Sequence, residues 1–358
     1  MKNYLLIPSL FVLIGCAAAD LRAQKEPALK DVFKKDFLVG AALNPTQFSG
    51  ATDGNCEVAL IKQHFNTISP ENVLKWEIVH PRPGQYDFAP GDRYVEFGLK
   101  NKMFIIGHNL VWHSQTPDWV FRDERGAILN REALLQRMRD HILTVVGHYQ
   151  GKIGGWDVVN EAVDEDGSLR QTPWRKIIGD DYLLKAYQFA HEADPDAQLY
   201  YNDFSTENPR KRAGIIHMIK QLQAQGAHIT GIGMQEHNTM DWPAPREVDE
   251  SITAFAALGV KVMITELDVN LLPPAGGKEL PDAMQKALAR RYAELFQVFV
   301  NHRRQITRVT FWGVTDGDSW LNYIPVPGRT AYPLLFGRGC APKPAFDAVI
   351  AVGLAKPQ

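Results

Sequence analysis

The sequence predicts an α/β fold, a single (β/α)8 TIM barrel, on three observations. Short β-like runs alternate with longer amphipathic stretches, and the alternation repeats eight times. Two of the apolar runs stop on a carboxylate, Glu161 after Val158, Val159 and Asn160, and Glu266 after Val262, Met263, Ile264 and Thr265. Polar and aromatic residues also gather at one end of nearly every run, a choice that random surface polarity would not make. Strands that alternate with helices run parallel, because each helix carries the chain back to the starting end of the sheet. Eight such units close most economically into a barrel, whose strand ends share the face where activity resides. An open doubly wound sheet is the competing arrangement, but no Gly-x-Gly-x-x-Gly turn follows the first strand.

The strands are expected at 38–43, 67–70, 104–108, 155–160, 198–202, 231–235, 262–265 and 308–312. Between them the helical spacing of apolar residues is clearest over 131–149, 182–193, 209–225, 248–258 and 283–301. Pro209 and Asp181 supply start chemistry for helices, and Gly226 and Gly259 supply stops. The 358 residues fit one domain, since a barrel commonly needs about 250 residues or more.

The first residues differ in kind. Lys2 supplies a positive charge, and residues 5–14 are almost wholly apolar before Gly15 and Cys16. This reads as a signal peptide over 1–15, too short to span a bilayer. The junction Leu13-Ile14-Gly15-Cys16 resembles the bacterial lipobox, in which cleavage exposes the cysteine for acylation. Lipid anchoring at Cys16 is therefore expected, with ordinary secretion after cleavage near Ala17, Ala18 and Ala19 as the alternative. Residues 16–30 then form a lipidated N-terminus and tether, and 31–358 the catalytic domain. The protein is expected to be exported and held on a membrane, facing the periplasm or the cell surface.

Only Cys56 and Cys340 remain, and an exported protein can join them, although isolated thiols are the simpler expectation. Their spacings form no zinc pattern, so no metal is expected. The formal charge of −2 offers no electrostatic scaffold for nucleic acid or an anionic membrane face.

At the strand ends stand carboxylates, amides, imidazoles and indoles rather than clustered Arg, Lys and glycine loops. That mixture suits a neutral, hydroxyl-rich ligand: aromatic faces pack on sugar C–H surfaces, while Asn, Gln, Glu and His exchange hydrogen bonds with hydroxyls. Seven segments then become specific together. They are Glu71-Asn72-Val73-Leu74-Lys75-Trp76-Glu77, Gly107-His108-Asn109-Leu110-Val111-Trp112-His113-Ser114-Gln115, Trp156-Asp157-Val158-Val159-Asn160-Glu161, Tyr201-Asn202-Asp203, Gly233-Met234-Gln235, Ile264-Thr265-Glu266-Leu267-Asp268 and Phe311-Trp312-Gly313-Val314-Thr315-Asp316. In this order, across about residues 38–350, they resemble the motifs of glycoside hydrolase family 10.

The resemblance implies a retaining endo-β-1,4-xylanase acting on xylan and xylo-oligosaccharides, without a cofactor. It makes Glu161 the general acid/base and Glu266 the nucleophile, with their carboxyl groups about 5–5.5 Å apart. It places Asn160 on the sugar 2-hydroxyl, His237 beside Glu266 with Asp268 orienting its ring, and Gln235 against Glu161 or the sugar. Glu71, Asn72, Lys75, His108 and Gln115 become contacts to the non-reducing-side xylose units, although Lys75 alone also reads as an ion-pair partner of Glu71 or Glu77. Trp112, Trp312 and Trp320 become walls of the cleft, and Tyr201 and Asn202 contacts on the leaving-group side. His113, Asp157, Asp203 and Asp316 are expected to support the site from behind.

Three positions depart from the family pattern: Glu236 stands where Gly or Ser is common, Asn109 for a usual Thr, and Gly337 for a usual Asp. Glu236 either binds a sugar hydroxyl, raises a neighbour's pKa by like charge, or points outward. Hydrolysis of β-1,4-glucan or aryl-cellobiosides is the alternative activity, and a noncatalytic surface glycan-binding protein the alternative class. A monomer is expected.

Overall fold

The computed structural model describes residues 27–50, 54–273 and 279–355. Cys16 and the signal peptide lie outside the described residues, as does most of the tether. Nine parallel strands are present among them: β1 (Leu38–Leu43), β2 (Thr67–Pro70), β3 (Phe104–Val111), β4 (Gly155–Asn160), β5 (Gln198–Asp203), β6 (Gly231–Met234), β7 (His237–Thr239), β8 (Lys261–Asn270) and β9 (Ile306–Phe311). Neighbours pair in chain order from β1 to β6, β9 pairs with both β1 and β8, and β8 closes the ring on β6. The barrel therefore has eight staves. The short β7 is an addition the alternation did not reveal, paired only with the outer end of β8, His237 opposite Asp268.

Each stave is followed by a helix: Cys56–His64, Ala89–Lys100, Arg131–His148, Tyr182–Ala193, Pro209–Ala224, Pro245–Ala256, Asp282–Asn301 and Pro344–Ala355. The caps are local chemistry. Asn130 accepts a hydrogen bond from the Ala133 amide at 2.9 Å and Asn208 from the Arg210 amide at 3.0 Å, which satisfies donors that a helix leaves open. Gly226 and Gly259, at φ +79° and +76°, turn the chain after two helices, a conformation that costs glycine little. Asp181 does not cap as expected: its carboxylate pairs with Arg131, 2.7 Å from Nη1.

The main core lies between strands and helices, where Trp76, Trp156 and Trp174 are fully buried. Inside the barrel a smaller cluster of Ile106, Tyr200 and Met263 packs with Phe104. Gly155 is needed there, since a Cβ would come within 2.4 Å of the Tyr200 hydroxyl. The folded part begins earlier than position 31. Ala28 and Leu29 are already buried, and Leu29–Val32 is helical, so the last residues assigned to the tether belong to the barrel.

Cys56 and Cys340 are joined, with Cα atoms 6.1 Å apart. This corrects the expectation of isolated thiols. The fold brings the helix after β1 against the connection after β9, which no spacing in sequence could disclose.

Candidate active site

A cleft of about 680 Å³ opens at the C-terminal ends of the strands, and both glutamates line it. Local irregularity aims them. The strand register shifts between Asp157 and Val159 of β4 and again between Ile264 and Leu267 of β8, on the approaches to Glu161 and Glu266. Glu161 itself has φ +57°, and Gln115 and Ser205, also on the cleft, have φ +46° and +50°. Such backbone costs about 1–3 kcal/mol per residue and collects at working sites.

The two carboxylates have different surroundings. Glu161 Oε1 accepts hydrogen bonds from Gln235 Nε2 at 3.0 Å and Asn160 Nδ2 at 3.1 Å, and Oε2 accepts from the Trp112 indole at 2.8 Å. Its donors are all neutral. Glu266 Oε1 accepts from Asn202 Nδ2 at 2.7 Å, and Oε2 lies 3.0 Å from His237 Nε2. The other ring nitrogen of His237 is 3.1 Å from Asp268 Oδ2, close enough for an ion pair but not aligned as a hydrogen bond. Asp268 Oδ2 also accepts from the Trp320 indole at 2.7 Å. Burial alone would lower the pKa of His237, but Asp268 and Glu266 outweigh it and push the imidazole up to about 10. Burial would raise that of Glu266, yet His237, His108 and Asn202 together hold it below its ordinary value. A charged imidazolium thus faces an ionised carboxylate.

The remaining walls come from the other strand ends. Lys75 Nζ donates to Asn72 Oδ1 at 2.9 Å and Gln115 Oε1 at 2.7 Å and stands 5.0 Å from the Trp112 ring centre. These amides, rather than a direct bond to Glu71 or Glu77, hold the ammonium. Burial lowers its pKa against the pull of Glu266, Glu71 and Glu161, and raises that of Glu71. His108 is fixed by Asp157 at 2.9 Å, and Trp312 meets it edge to face at 5.5 Å. Asn160, Trp320 and Gln235 complete the expected lining.

Two expected substrate contacts are corrected. Tyr201 and Asn202 are completely buried and do not reach the cleft surface. The Tyr201 hydroxyl is taken by Asp203 and by the Ala162 amide at 3.0 Å, directly behind Glu161. Asn202 spends its amide on Asn160 Oδ1 at 2.8 Å and Glu266, and its Oδ1 accepts from Thr265 at 2.6 Å. Both act behind the wall. Asp203 pairs with the buried Lys211 at 2.9 Å and Asp316 with Lys343 at 2.9 Å. Ser114, Phe204, Ser205, Tyr323 and Ile324 also line the cleft. Ser114 lies within one of the seven motif segments and Phe204 directly follows another, a signal that adjacency offered, whereas Tyr323 and Ile324 sit in a loop with no pattern.

The sequence model described as glycosyl hydrolase family 10 matches residues 28–352. The chain belongs to glycosyl hydrolase family 10. It is 45% identical over 348 residues to endo-1,4-beta-xylanase A of Xylanibacter ruminicola, covering 92% of this chain and 94% of that one. A beta-1,4-xylanase of Dictyoglomus thermophilum is 40% identical over 352 residues, 97% of each chain. Among solved structures, a GH10 endoxylanase from a sugarcane soil metagenome superposes with a TM-score of 0.88 at 45% identity, covering 91% of this chain and 99% of that one. A mutant in complex with xylotriose superposes with a TM-score of 0.85 at 36% identity, over 90% and 99%.

Against the family 10 pattern, Glu236 turns away from the cleft. It is buried, its Oε2 accepts from Asn238 at 3.0 Å, and burial followed by the charge of Glu207 pushes its pKa well up. Asn109 is buried with its amide 3.3 Å from His108 Nε2, and a Cβ at Gly337 would meet only the Ala341 carbonyl at 3.8 Å.

The His237–Glu266 pair sets a pH dependence. Because the folded pKa of His237 is raised, its contribution to stability is fully present below the unfolded value of about 6.5 and is lost as pH rises through about 10. The depressed pKa of Glu266 contributes above its unfolded value and is lost as pH falls through the folded one. His237→Gln is expected to move the acid limb of the kcat/KM profile to higher pH and to flatten the alkaline decline of urea stability. An unmoved acid limb would show that His237 does not govern Glu266.

Proposed function

We propose that the protein is a retaining endo-β-1,4-xylanase that hydrolyses internal bonds of xylan and xylo-oligosaccharides by double displacement. The observation that carries this reading is the unequal pair of carboxylates in one cleft. Glu266, held ionised by a cation, is the nucleophile: it attacks the anomeric carbon and forms a glycosyl-enzyme. Glu161, surrounded by neutral donors, gives its proton to the leaving oxygen and later takes one from the water that opens the intermediate. Asn160 has its Oδ1 and one amide hydrogen engaged with its neighbours, which leaves the other amide hydrogen for the sugar 2-hydroxyl. That contact strengthens as charge develops on the ring.

Lys75, Asn72, Gln115, Glu71 and His108 bind the xylose units on the non-reducing side. Xylose carries no hydroxymethyl group, and the indoles of Trp312 and Trp320 beside His237 occupy the space that a glucose would need. The named relatives, two of which cover more than nine-tenths of this chain, support the same substrate class.

We further propose that the chain is exported and anchored through acylated Cys16, and that it works as a monomer. The apolar run before Gly15-Cys16 supports export, and so does the Cys56–Cys340 bridge, since disulfides persist in oxidising compartments. Several acyl chains hold a protein firmly, at about 0.8 kcal/mol per buried methylene.

Two measurements follow. Glu161→Gln and Glu266→Gln are each expected to lower kcat on xylan by at least about 10²–10⁴-fold, with soluble products from arabinoxylan and glucuronoxylan but not cellulose in the wild type. Wild-type hydrolysis by either variant would overturn the assignment. Metabolic labelling with palmitate is expected to mark the mature protein and to fail in Cys16→Ala; an unlabelled wild type would leave ordinary secretion.

A further inference from the structure

Glu161 holds a main-chain conformation, φ +57°, that a residue with a Cβ keeps only where its surroundings impose it. Gln235, Asn160 and Trp112 act on the carboxylate, at the far end of the side chain. The main chain needs holders of its own.

Two of these holders belong to β5. The Glu161 amide donates to the Asn202 carbonyl at 2.9 Å, and the next amide, that of Ala162, donates to the Tyr201 hydroxyl at 3.0 Å. The carbonyls are held by a single residue. Arg170 Nε donates to the Glu161 carbonyl at 3.0 Å, the Arg170 amide donates to the Ala162 carbonyl at 2.8 Å, and Arg170 Nη2 donates to the Val163 carbonyl at 3.4 Å. Three successive carbonyls, beginning at Glu161 itself, thus end on Arg170. A guanidinium presents its donors in a rigid planar fork, whereas the ammonium of a lysine is a point charge on a flexible stem.

Arg170 is fixed in turn. The chain leaves β4 and comes back through a hairpin in which Val163 bridges Leu169 antiparallel and the Asp164 amide donates to the Ser168 carbonyl at 2.8 Å. Asp164 Oδ1 pairs with Arg170 Nη1 at 2.9 Å. The hairpin is tied to the start of the helix Pro209–Ala224: Asn208 Nδ2 donates to the Glu165 carbonyl at 3.1 Å, and Lys211 Nζ meets Glu165 Oε1 at 3.3 Å. Arg170 is not a lining residue of the cleft. It reaches the cleft only indirectly, through the Glu161 carbonyl and through Phe204, a wall residue whose ring centre is 5.9 Å from the guanidinium.

We propose that Arg170 is the positioning residue for proton transfer by Glu161, and that its hold on the three carbonyls keeps the carboxyl aimed at the glycosidic oxygen. That Glu161 is the acid/base rests on the function proposed above. Proton transfer requires a heavy-atom separation of about 2.6–3.2 Å, so acid catalysis is the step most sensitive to where the Glu161 main chain stands. The nucleophile does not share this hold. Glu266 is placed by Asn202 and His237, which belong to β5 and β7.

The test compares kcat/KM of the full-length enzyme on phenyl and dinitrophenyl β-xylobiosides. Both are cleaved at the same anomeric bond, but the phenolate needs a proton as its C–O bond breaks, whereas the dinitrophenolate leaves without one. Loss of folded enzyme, or of the wall at Phe204, lowers both values alike and leaves their ratio unchanged. Arg170→Met is expected to raise the dinitrophenyl-to-phenyl ratio by about tenfold or more, out of the roughly 10²–10⁴-fold that general acid catalysis supplies. Arg170→Lys, which keeps the charge but not the fork, is expected to raise it by less. Should Arg170→Met fail to fold, Arg170→Lys and Asp164→Asn, which removes the charge opposite Nη1, are judged by the same ratio. An unchanged ratio in the folded variants, whether both rates fall or neither does, would overturn the role of Arg170. Glu161→Gln keeps this outcome apart from the function itself: a raised ratio there leaves the acid/base assignment standing, and an unchanged one would contradict it.

Discussion

One amide group ties the catalytic face together. Asn202 Nδ2 stands between Asn160 Oδ1 at 2.8 Å and Glu266 Oε1 at 2.7 Å, and Asn160 in turn donates to Glu161. Thr265 fixes the remaining oxygen of Asn202, so the amide has one orientation only. The two carboxylates are thus set relative to each other through a buried, neutral bridge rather than through the cleft itself. Losing that bridge would strip Glu266 of a donor in a buried setting, where an unsatisfied charge is most costly.

The bridge sets position, and charge then separates the roles. Glu266 faces His237, which Asp268 keeps charged, while Glu161 receives only amide and indole donors. Asp268 also accepts from Trp320, so the group that supports the imidazolium holds a wall of the cleft as well. Disturbing one carboxylate's surroundings therefore reaches the sugar-binding surface. The barrel supplies the rigidity for this by closing its sheet, with β8 paired on both sides.

The barrel was legible because its signal is periodic. Alternating runs and the carboxylates that stop them are local patterns, and β1, β2 and β4 lie where those patterns put them. What escaped depends on tertiary direction. Tyr201 and Asn202 stand in the last residues of β5 much as Asn160 ends β4, but they turn behind the wall, and sequence adjacency does not distinguish the two. Glu236 sits between two cleft residues and points away from both, at φ +59°. The disulfide joins positions 284 residues apart, and Tyr323 and Ile324 reach the cleft from a loop with no period to read.

The central claim is that Glu266 attacks and Glu161 transfers the proton. It is tested most directly by incubating the enzyme with a 2-deoxy-2-fluoro-β-xylobioside bearing an activated leaving group and mapping the trapped sugar by peptide mass spectrometry. The adduct is predicted on the peptide containing Glu266. An adduct on Glu161, or inactivation by the reagent with Glu266 unmodified, would contradict the account.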